Sequence, residues 1–313
     1  MTKIAILIQQ TPALEDGNYL RLGNALRQLG HHVSCCFVDS LALNNGRLEA
    51  NGFVIEQNLQ KNAPFPPATL HQLGEQELIW ILSVGDRQTF LDKIQMLYAL
   101  PQHIQITNSL DAIMHLKSKY FWASHGDLFT HPDTYASTNS SDLIRIVTVE
   151  GGKWIAKPPA GSLGRDVFLI EAHDPNMRAI IQHLCGPDDS QYTLLQRYVA
   201  EIENGEKRIL LAGGTIIGQY QRFAERDHRT NINQGARYQH CELSDVEQAY
   251  CINLAQFLAT KGAHFVGIDL VFPYLIETNV VNPGGLLTLS ELNGQDHSKQ
   301  IAQSVLEAIA ASS

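Results

Sequence analysis

Two apolar segments near the C-terminus each carry acidic or amide side chains in their interior: Phe265-Val-Gly-Ile-Asp269 and Leu275-Ile-Glu277-Thr-Asn279. A hairpin turning about Pro273 would set Asp269 opposite Glu277 and Gly267 opposite Asn279. Strand side chains alternate, so these four share one face, while Ile268, Leu270, Ile276 and Thr278 take the face suited to a core. Two carboxylates directly opposed across a ladder repel. A hard divalent cation removes that repulsion, and oxygens from Asp, Glu and Asn are what magnesium prefers, with nucleotide phosphates completing its shell. Gly267 leaves room for a ligand. A solvated polar strand face is the plain alternative, but the apolar flanks favour the cation site.

A second chemical signal is Lys157 followed by Pro158-Pro159-Ala160-Gly161-Ser162-Leu163-Gly164. A lysine at a strand end before a loop of small residues suits phosphate, which backbone N–H groups cradle and the ammonium neutralises. An ordinary glycine turn explains the same residues, and the order is not that of a P-loop, where the lysine follows the glycines. Lys117 and Lys119 lie near an expected domain junction, where solvated charge is the simplest role. Gln196-Arg-Tyr198-Val199 ends a strand and would line a base pocket or form a plain strand edge. Arg208 and Arg222 sit at hairpin positions from which a guanidinium reaches phosphate, carboxylate or a surface ion-pair partner. The histidines show no metal spacing, and neither a GxSxG elbow nor a Cys/His constellation is present.

The elements that must hold these residues read as follows. Lys3 to Ile8, a helix carrying Tyr19, Leu22, Ala25, Leu26 and Leu29, and His32 to Val38 form a β-α-β opening, expected in a parallel, helix-covered sheet. It lacks GxGxxG, so no dinucleotide site is expected there. Leu78 to Val84 is a buried strand, and Asn108 or Ser109 caps a helix expected to run through about Ser124. The pattern changes near Lys117. Gly213-Gly214 joins Lys207–Leu211 to Thr215–Arg222 as a hairpin, Ser244 opens a long helix to about Lys261, and a last helix runs from about Asp296 to Ala310.

The chain has 313 residues, 44% apolar and 18% charged, enough for two or three lobes with real cores. A formal charge of −9 argues against a nucleic-acid surface. The five cysteines, an odd number without a CxxC pair, read as free thiols in a reducing compartment. No leader and no apolar run long enough for a bilayer is seen, so a cytoplasmic protein is expected.

Taken in order, these pieces resemble the ATP-grasp family, and most closely bacterial glutathione synthetase. The matching stretches are Asn108-Ser-Leu with Lys119-Tyr-Phe-Trp-Ala, Ile155-Ala-Lys157-Pro with Gly161-Ser-Leu-Gly164, Gln196-Arg-Tyr-Val with Asn204-Gly-Glu-Lys-Arg208, Arg229-Thr-Asn231, Phe265-Val-Gly-Ile-Asp269 and Ile276-Glu-Thr-Asn279-Val-Val-Asn-Pro283. The resemblance covers roughly residues 108–310, and before that it extends only to the α/β outline. It implies an ATP-grasp fold of mixed α/β and α+β class: a Rossmann-like N-terminal domain over 1–117, a central lobe with a glycine lid over 118–195, and a C-terminal lobe with the magnesium site over 196–313. By matching position, Lys119 and Lys157 would contact the nucleotide, and Gly161, Ser162, Leu163 and Gly164 would form the phosphate lid. Gln196, Tyr198 and Val199 would surround adenine, and Glu206 would approach the ribose. Asp269, Glu277 and Asn279 would hold magnesium, or manganese in its place. Arg208, Arg222 and Asn231 would stabilise the transferring phosphate, with Arg222 about one residue off the family spacing.

The implied activity is ATP-dependent activation of a carboxylate as an acyl-phosphate, followed by capture with an amine. Substrates would be a small acid and a small amine, amino acids or short peptides, and a homo-oligomer is expected. Two departures touch the substrate half. The family's Arg-Lys-Asp-Pro-Pro-like segment is replaced by Leu82-Ser83-Val84-Gly85-Asp86-Arg87, and its Ile-Arg-Glu segment gives way to leucine within Asn282-Pro283-Gly284-Gly285-Leu286-Leu287-Thr288. Losing a bidentate carboxylate clamp costs recognition of that group. The expectation is therefore a glutathione-synthetase-like ligase with an altered substrate pocket. Glutathione synthetase proper and a non-catalytic ATP-binding regulatory module are the competing readings.

Overall fold

Short β-branched and aromatic runs punctuated by turn residues form strands, and these assemble into three sheets. The computed structural model describes residues 1–159, 166–223 and 237–312. The first sheet contains β1 (Lys3–Ile8), β2 (His32–Phe37), β3 (Ala42–Asn44), β4 (Arg47–Val54), β5 (Thr69–Gln72), β6 (Leu78–Ile81) and β7 (Gln105–Thr107). β2, β1, β6 and β7 run parallel, and β3, β4 and β5 extend the edge as antiparallel strands. Helices α1 (Asn18–Gln28) and α2 (Phe90–Tyr98) cover this sheet.

At the end of β7 the chain enters α3 (Leu110–Leu116), capped by the Ser109 hydroxyl accepting from Ala112 N–H at 3.1 Å. The continuous helix expected here does not form. The helix stops at Leu116 and restarts as α4 (Tyr120–Ser124). The reason lies 160 residues away in sequence, give or take a few: Thr278 donates its hydroxyl to the Leu116 carbonyl at 3.0 Å and accepts the Trp122 indole N–H at 2.8 Å. A carbonyl taken by Thr278 and an indole anchored beside it hold the chain broken at residues 117–119.

The second sheet, ordered β10-β9-β11-β8, is built from β8 (Thr134–Ser137), β9 (Lys153–Lys157), β10 (Phe168–Glu171) and β11 (Thr193–Arg197). Helices α5 (Ser140–Glu150) and α6 (Met177–Cys185) pack on it in a separate core with Trp154, Ala156 and Leu195. Strand alternation then sends Ile155, Lys157, Leu194 and Gln196 to the opposite face.

The third sheet is β14-β13-β12-β15-β16, formed by β12 (Glu206–Ala212), β13 (Thr215–Phe223), β14 (Arg237–His240), β15 (Phe265–Val271) and β16 (Tyr274–Asn279). One face packs against α7 (Asp245–Thr260) through Ile209, Leu211, Val266 and Ile268. Ser244 and Glu247 cap α7 reciprocally. The other face joins the first sheet: Leu210, Ala212, Phe265 and Leu286 share a core with β1, β2, α1 and α9 (Ser298–Ser312). The Asn108 amide seals this junction. It donates to the carbonyls of Phe265 and Val280, both at 2.7 Å, and accepts from Phe265 N–H at 2.8 Å. A short helix α8 (Leu286–Asn293), which the glycine- and hydroxyl-rich sequence does not announce, follows the last hairpin.

Candidate functional site

The hairpin register settles where the acidic residues stand. Asp269 pairs with Glu277 and Gly267 with Asn279, as the turn about Pro273 predicts. A bulge between Asp269 and Leu270 absorbs one residue on the turn side, so Leu270 faces Leu275. The row continues across the sheet, because Arg208 of β12 lies opposite Asp269, and Tyr220 of β13 opposite Arg208. Tyr220, Arg208, Asp269 and Glu277 therefore stand side by side on one face. Glu206 pairs with Arg222 in the next row. Gly267 gives Arg208 its space: a Cβ there would come within 3.3 Å of the guanidinium and 3.0 Å of the Pro283 side chain.

Charge is matched closely in this face. Arg208 holds Asp269 in a two-pronged pair at 2.6 and 3.0 Å and donates to the Gly284 carbonyl at 2.7 Å. Arg222 donates to Asp269 at 2.7 Å and to Glu206. Asn279 approaches Asp269 at 3.5 Å through its amide nitrogen. Burial by itself would raise the Asp269 pKa, but the Arg208 and Arg222 charges reverse this and hold it below the usual carboxylate range. Burial would also lower the pKa of Arg222, and Asp269 and Glu206 instead push it above that of an ordinary arginine. Glu277 accepts from Lys119 Nζ at 2.9 Å. Its side chain keeps 35% exposure, so the carboxylate is set deep but reachable from the cleft. Burial opposes its ionisation, and the Lys119 charge outweighs burial and lowers its pKa.

Across the cleft the central sheet presents Lys157 and Gln196, joined at 2.6 Å from Nζ to Oε1. Burial, reinforced by the Lys119 charge, brings the Lys157 pKa down to about 7, against the pull of Glu277 and Glu206. Gln196 also meets His131 and Thr134, at 3.0 and 3.4 Å. Val199 is buried, and Tyr198 is half-buried with its hydroxyl on Glu203 at 3.2 Å.

The structure thus places Glu206, Arg208, Arg222, Asp269, Glu277 and Asn279 on one sheet and Lys157 and Gln196 on another, with Lys119 reaching Glu277 from the helix break before α4. Gly161, Ser162, Leu163, Gly164 and Asn231 lie outside the described residues. Sequence reasoning missed His131, whose only signal is a lone histidine before Pro132. It also missed Tyr220, an inward strand position beside Arg208.

Asp269 and Glu277 supply two carboxylates and Asn279 an amide oxygen, a hard donor set suited to magnesium. Among the described residues no group of three or more His, Cys, Asp or Glu side chains could hold a metal by itself. A cation here therefore needs further oxygens, which nucleotide phosphates provide.

Beside the Leu82–Arg87 segment, Asp39 accepts from Asp86 N–H at 2.9 Å and from buried Lys93, and Lys93 also reaches the Val84 carbonyl at 3.4 Å. The loop that lacks the proline pair is tied by an ion pair, and Arg87 is exposed. Leu286, in the segment where an arginine is expected by resemblance, is fully buried in the core shared with the first sheet.

Residues 119–294 match the family model for the ATP-grasp domain of prokaryotic glutathione synthetase. A glutathione synthetase of Gloeobacter violaceus is 28% identical over 278 residues, covering 85% of this chain and 80% of the relative. Among solved structures, D-cycloserine synthetase DcsG superposes with a TM-score of 0.69 at 15% identity, over 98% of this chain and 99% of the other. The ATP-grasp ligase PsnB, in a complex with a precursor variant, Mg and ADP, does so with a TM-score of 0.62 at 15% identity, over 98% and 99%. At such identities the structural likeness speaks for the fold. Among the described residues no helix is long and apolar enough to cross a membrane.

Proposed function

The chain belongs to the prokaryotic glutathione synthetase ATP-grasp family and is an ATP-grasp ligase, and from that premise we propose that it activates a substrate carboxylate with ATP and magnesium and joins it to an amine. The observation that carries this reading is the row Arg208–Asp269–Glu277, in register on one sheet, with Lys119 bonded to Glu277. Magnesium, held by Asp269, Glu277 and Asn279 together with the phosphates, would neutralise charge on the transferring phosphoryl group. Lys157 and Lys119 orient the nucleotide phosphates. Arg208 and Arg222, already aimed by Asp269, Glu206 and the Gly284 carbonyl, stabilise charge as the substrate carboxylate attacks the γ-phosphate. The acyl-phosphate is then captured by the amine, phosphate leaves, and an amide forms. Approach of the lobes over the bound nucleotide would exclude water from that intermediate.

The substrate pocket differs from that of glutathione synthetase in the same reading. Leu286 is committed to the core, and the Leu82–Arg87 loop has no proline pair and a displaced, exposed arginine. The pair γ-glutamylcysteine and glycine is therefore a poor substrate set, and a different acid or amine is the better one. The deciding experiment incubates the purified chain with ATP, magnesium, γ-glutamylcysteine and glycine, then varies each acid and amine. ADP, phosphate and product mass are read together. Amide product with other partners supports the reading, efficient glutathione formation refutes the altered pocket, and ATP binding without ADP under every panel refutes ligase activity.

A further inference from the structure

Gln196 is 3% exposed, and its amide is held from both ends. His131 Nδ1 lies 2.7 Å from the Leu275 carbonyl, which can only accept, so the ring hydrogen sits on Nδ1. In the neutral ring Nε2 is then an acceptor, and it faces the Gln196 nitrogen at 3.0 Å. Lys157, a donor only when charged, lies 2.6 Å from Gln196 Oε1. Both neighbours demand one orientation of the amide: nitrogen toward His131, oxygen toward Lys157. The second amide hydrogen points at Thr134 Oγ1, 3.4 Å away, which spends its own hydrogen on the Pro132 carbonyl at 2.8 Å. The capacity left over is one lone pair on Oε1.

The ring keeps this role over the physiological range. Burial, with the Lys157 and Lys119 charges, takes its pKa down to about 4, against the pull of the Leu275 carbonyl. The same dipeptide is fastened to the third sheet, because Leu275 N–H donates to the Thr130 carbonyl at 2.8 Å. His131 thus stands between the two sheets, bonded to one by a carbonyl and to the other by an amide.

We propose that His131 is a positioning residue that fixes the Gln196 amide with only its oxygen available to a nucleotide base. The site then prefers a base bearing an exocyclic amine, adenine, over one bearing an oxo group at that edge, guanine. An amide turned the other way would present N–H groups and reverse the preference. The inference rests on the proposed placement of the base at Gln196.

Titration calorimetry with ATP and with GTP, each with magnesium, tests it on the full chain. His131→Leu removes both hydrogen bonds and is expected to lower the ATP-over-GTP preference about tenfold. His131→Gln, which can both donate and accept, is expected to recover part of that loss. The double variant with Gln196→Ala should discriminate no less than Gln196→Ala alone. Equal weakening of both nucleotides by His131→Leu, while Gln196→Ala erases the preference, overturns the positioning role and leaves the base placement standing. A preference untouched by Gln196→Ala overturns the placement, and this inference with it. Should His131→Leu melt before titration, a wild-type preference combined with weakened binding of both nucleotides in His131→Gln overturns the role as well.

Discussion

The two sheets that face each other treat charge in opposite ways. On the C-terminal sheet Asp269 is held by Arg208 and Arg222, Glu206 by Arg222, and Glu277 by Lys119. On the central sheet Lys157 is as deeply buried, yet among the described residues it is bonded to an amide and meets no carboxylate within ion-pair distance. The first surface is neutralised before any ligand arrives. The second holds a lysine that, among the described residues, has no anionic partner. Changes on the C-terminal sheet should therefore show first in folding, and changes on the central sheet first in nucleotide binding.

The largest expected effect tests the first half of that contrast. Asp269→Ala leaves two buried guanidiniums without their shared carboxylate, and removing one partner of a buried pair costs about 3–5 kcal/mol. Urea unfolding should show that loss with no ligand present. A loss below about 1 kcal/mol would mean water replaces the carboxylate freely, and the face is then less closed than its burial indicates.

Lys157→Met is the counterpart on the central sheet. Removing an ammonium that has no carboxylate partner among the described residues should leave folding stability equal or higher, since a buried charge is unfavourable. Affinity for ATP should fall by about 1.5–3 kcal/mol, the worth of a hydrogen bond to a charged group. Calorimetric Kd values beside unfolding curves check both. Destabilisation with intact ATP binding would reverse the assigned roles.

How far the sequence disclosed this contrast follows from the range of the interactions. The opposition of Asp269 and Glu277 was legible because a hairpin is local and strand side chains alternate. The bulge beside Asp269 was not, since it depends on how the turn at Pro273 closes. Arg208 could be placed on a hairpin, but its partner lies 61 residues further on, across a pairing that no local pattern encodes. The helix break after Leu116 is likewise imposed by Thr278, and α8 was hidden because Gly284, Gly285, Thr288 and Ser290 are weak helix signals. His131 gains its meaning only from Leu275 and Gln196, which it meets through folding alone.

Proton linkage sharpens the contrast further. With a pKa of about 7 against an ordinary 10.5, Lys157 is mostly neutral at pH 8 in the free protein. Phosphate beside it favours the charged form, so ATP binding at pH 8 should take up close to one proton, and at pH 6 almost none. Calorimetry in buffers of different ionisation enthalpy measures this, and Lys157→Met should abolish it. The stability sign agrees: a base with a lowered folded pKa costs stability in full below pH 7, and the cost is relieved as pH rises from 7 toward 10.5. The same uptake in Lys157→Met would assign the proton to another group.

The smallest effect lies where the two surfaces meet. Lys119 and Glu277 are paired at 2.9 Å, but the Glu277 side chain is 35% exposed, so solvent screens the pair. A double-mutant cycle with Lys119→Met and Glu277→Gln should give a coupling of only about 0.5–1 kcal/mol in unfolding, well under the cost at Asp269. The pair is then cheap to open, which suits a lysine that must release a carboxylate to magnesium and turn to phosphate. Magnesium titrated with ATP present should reduce the coupling further, because the cation replaces the lysine at Glu277. A coupling as large as that at Asp269, unchanged by magnesium and ATP, would make Lys119–Glu277 a fixed strut, and the site would then need another ligand for the metal.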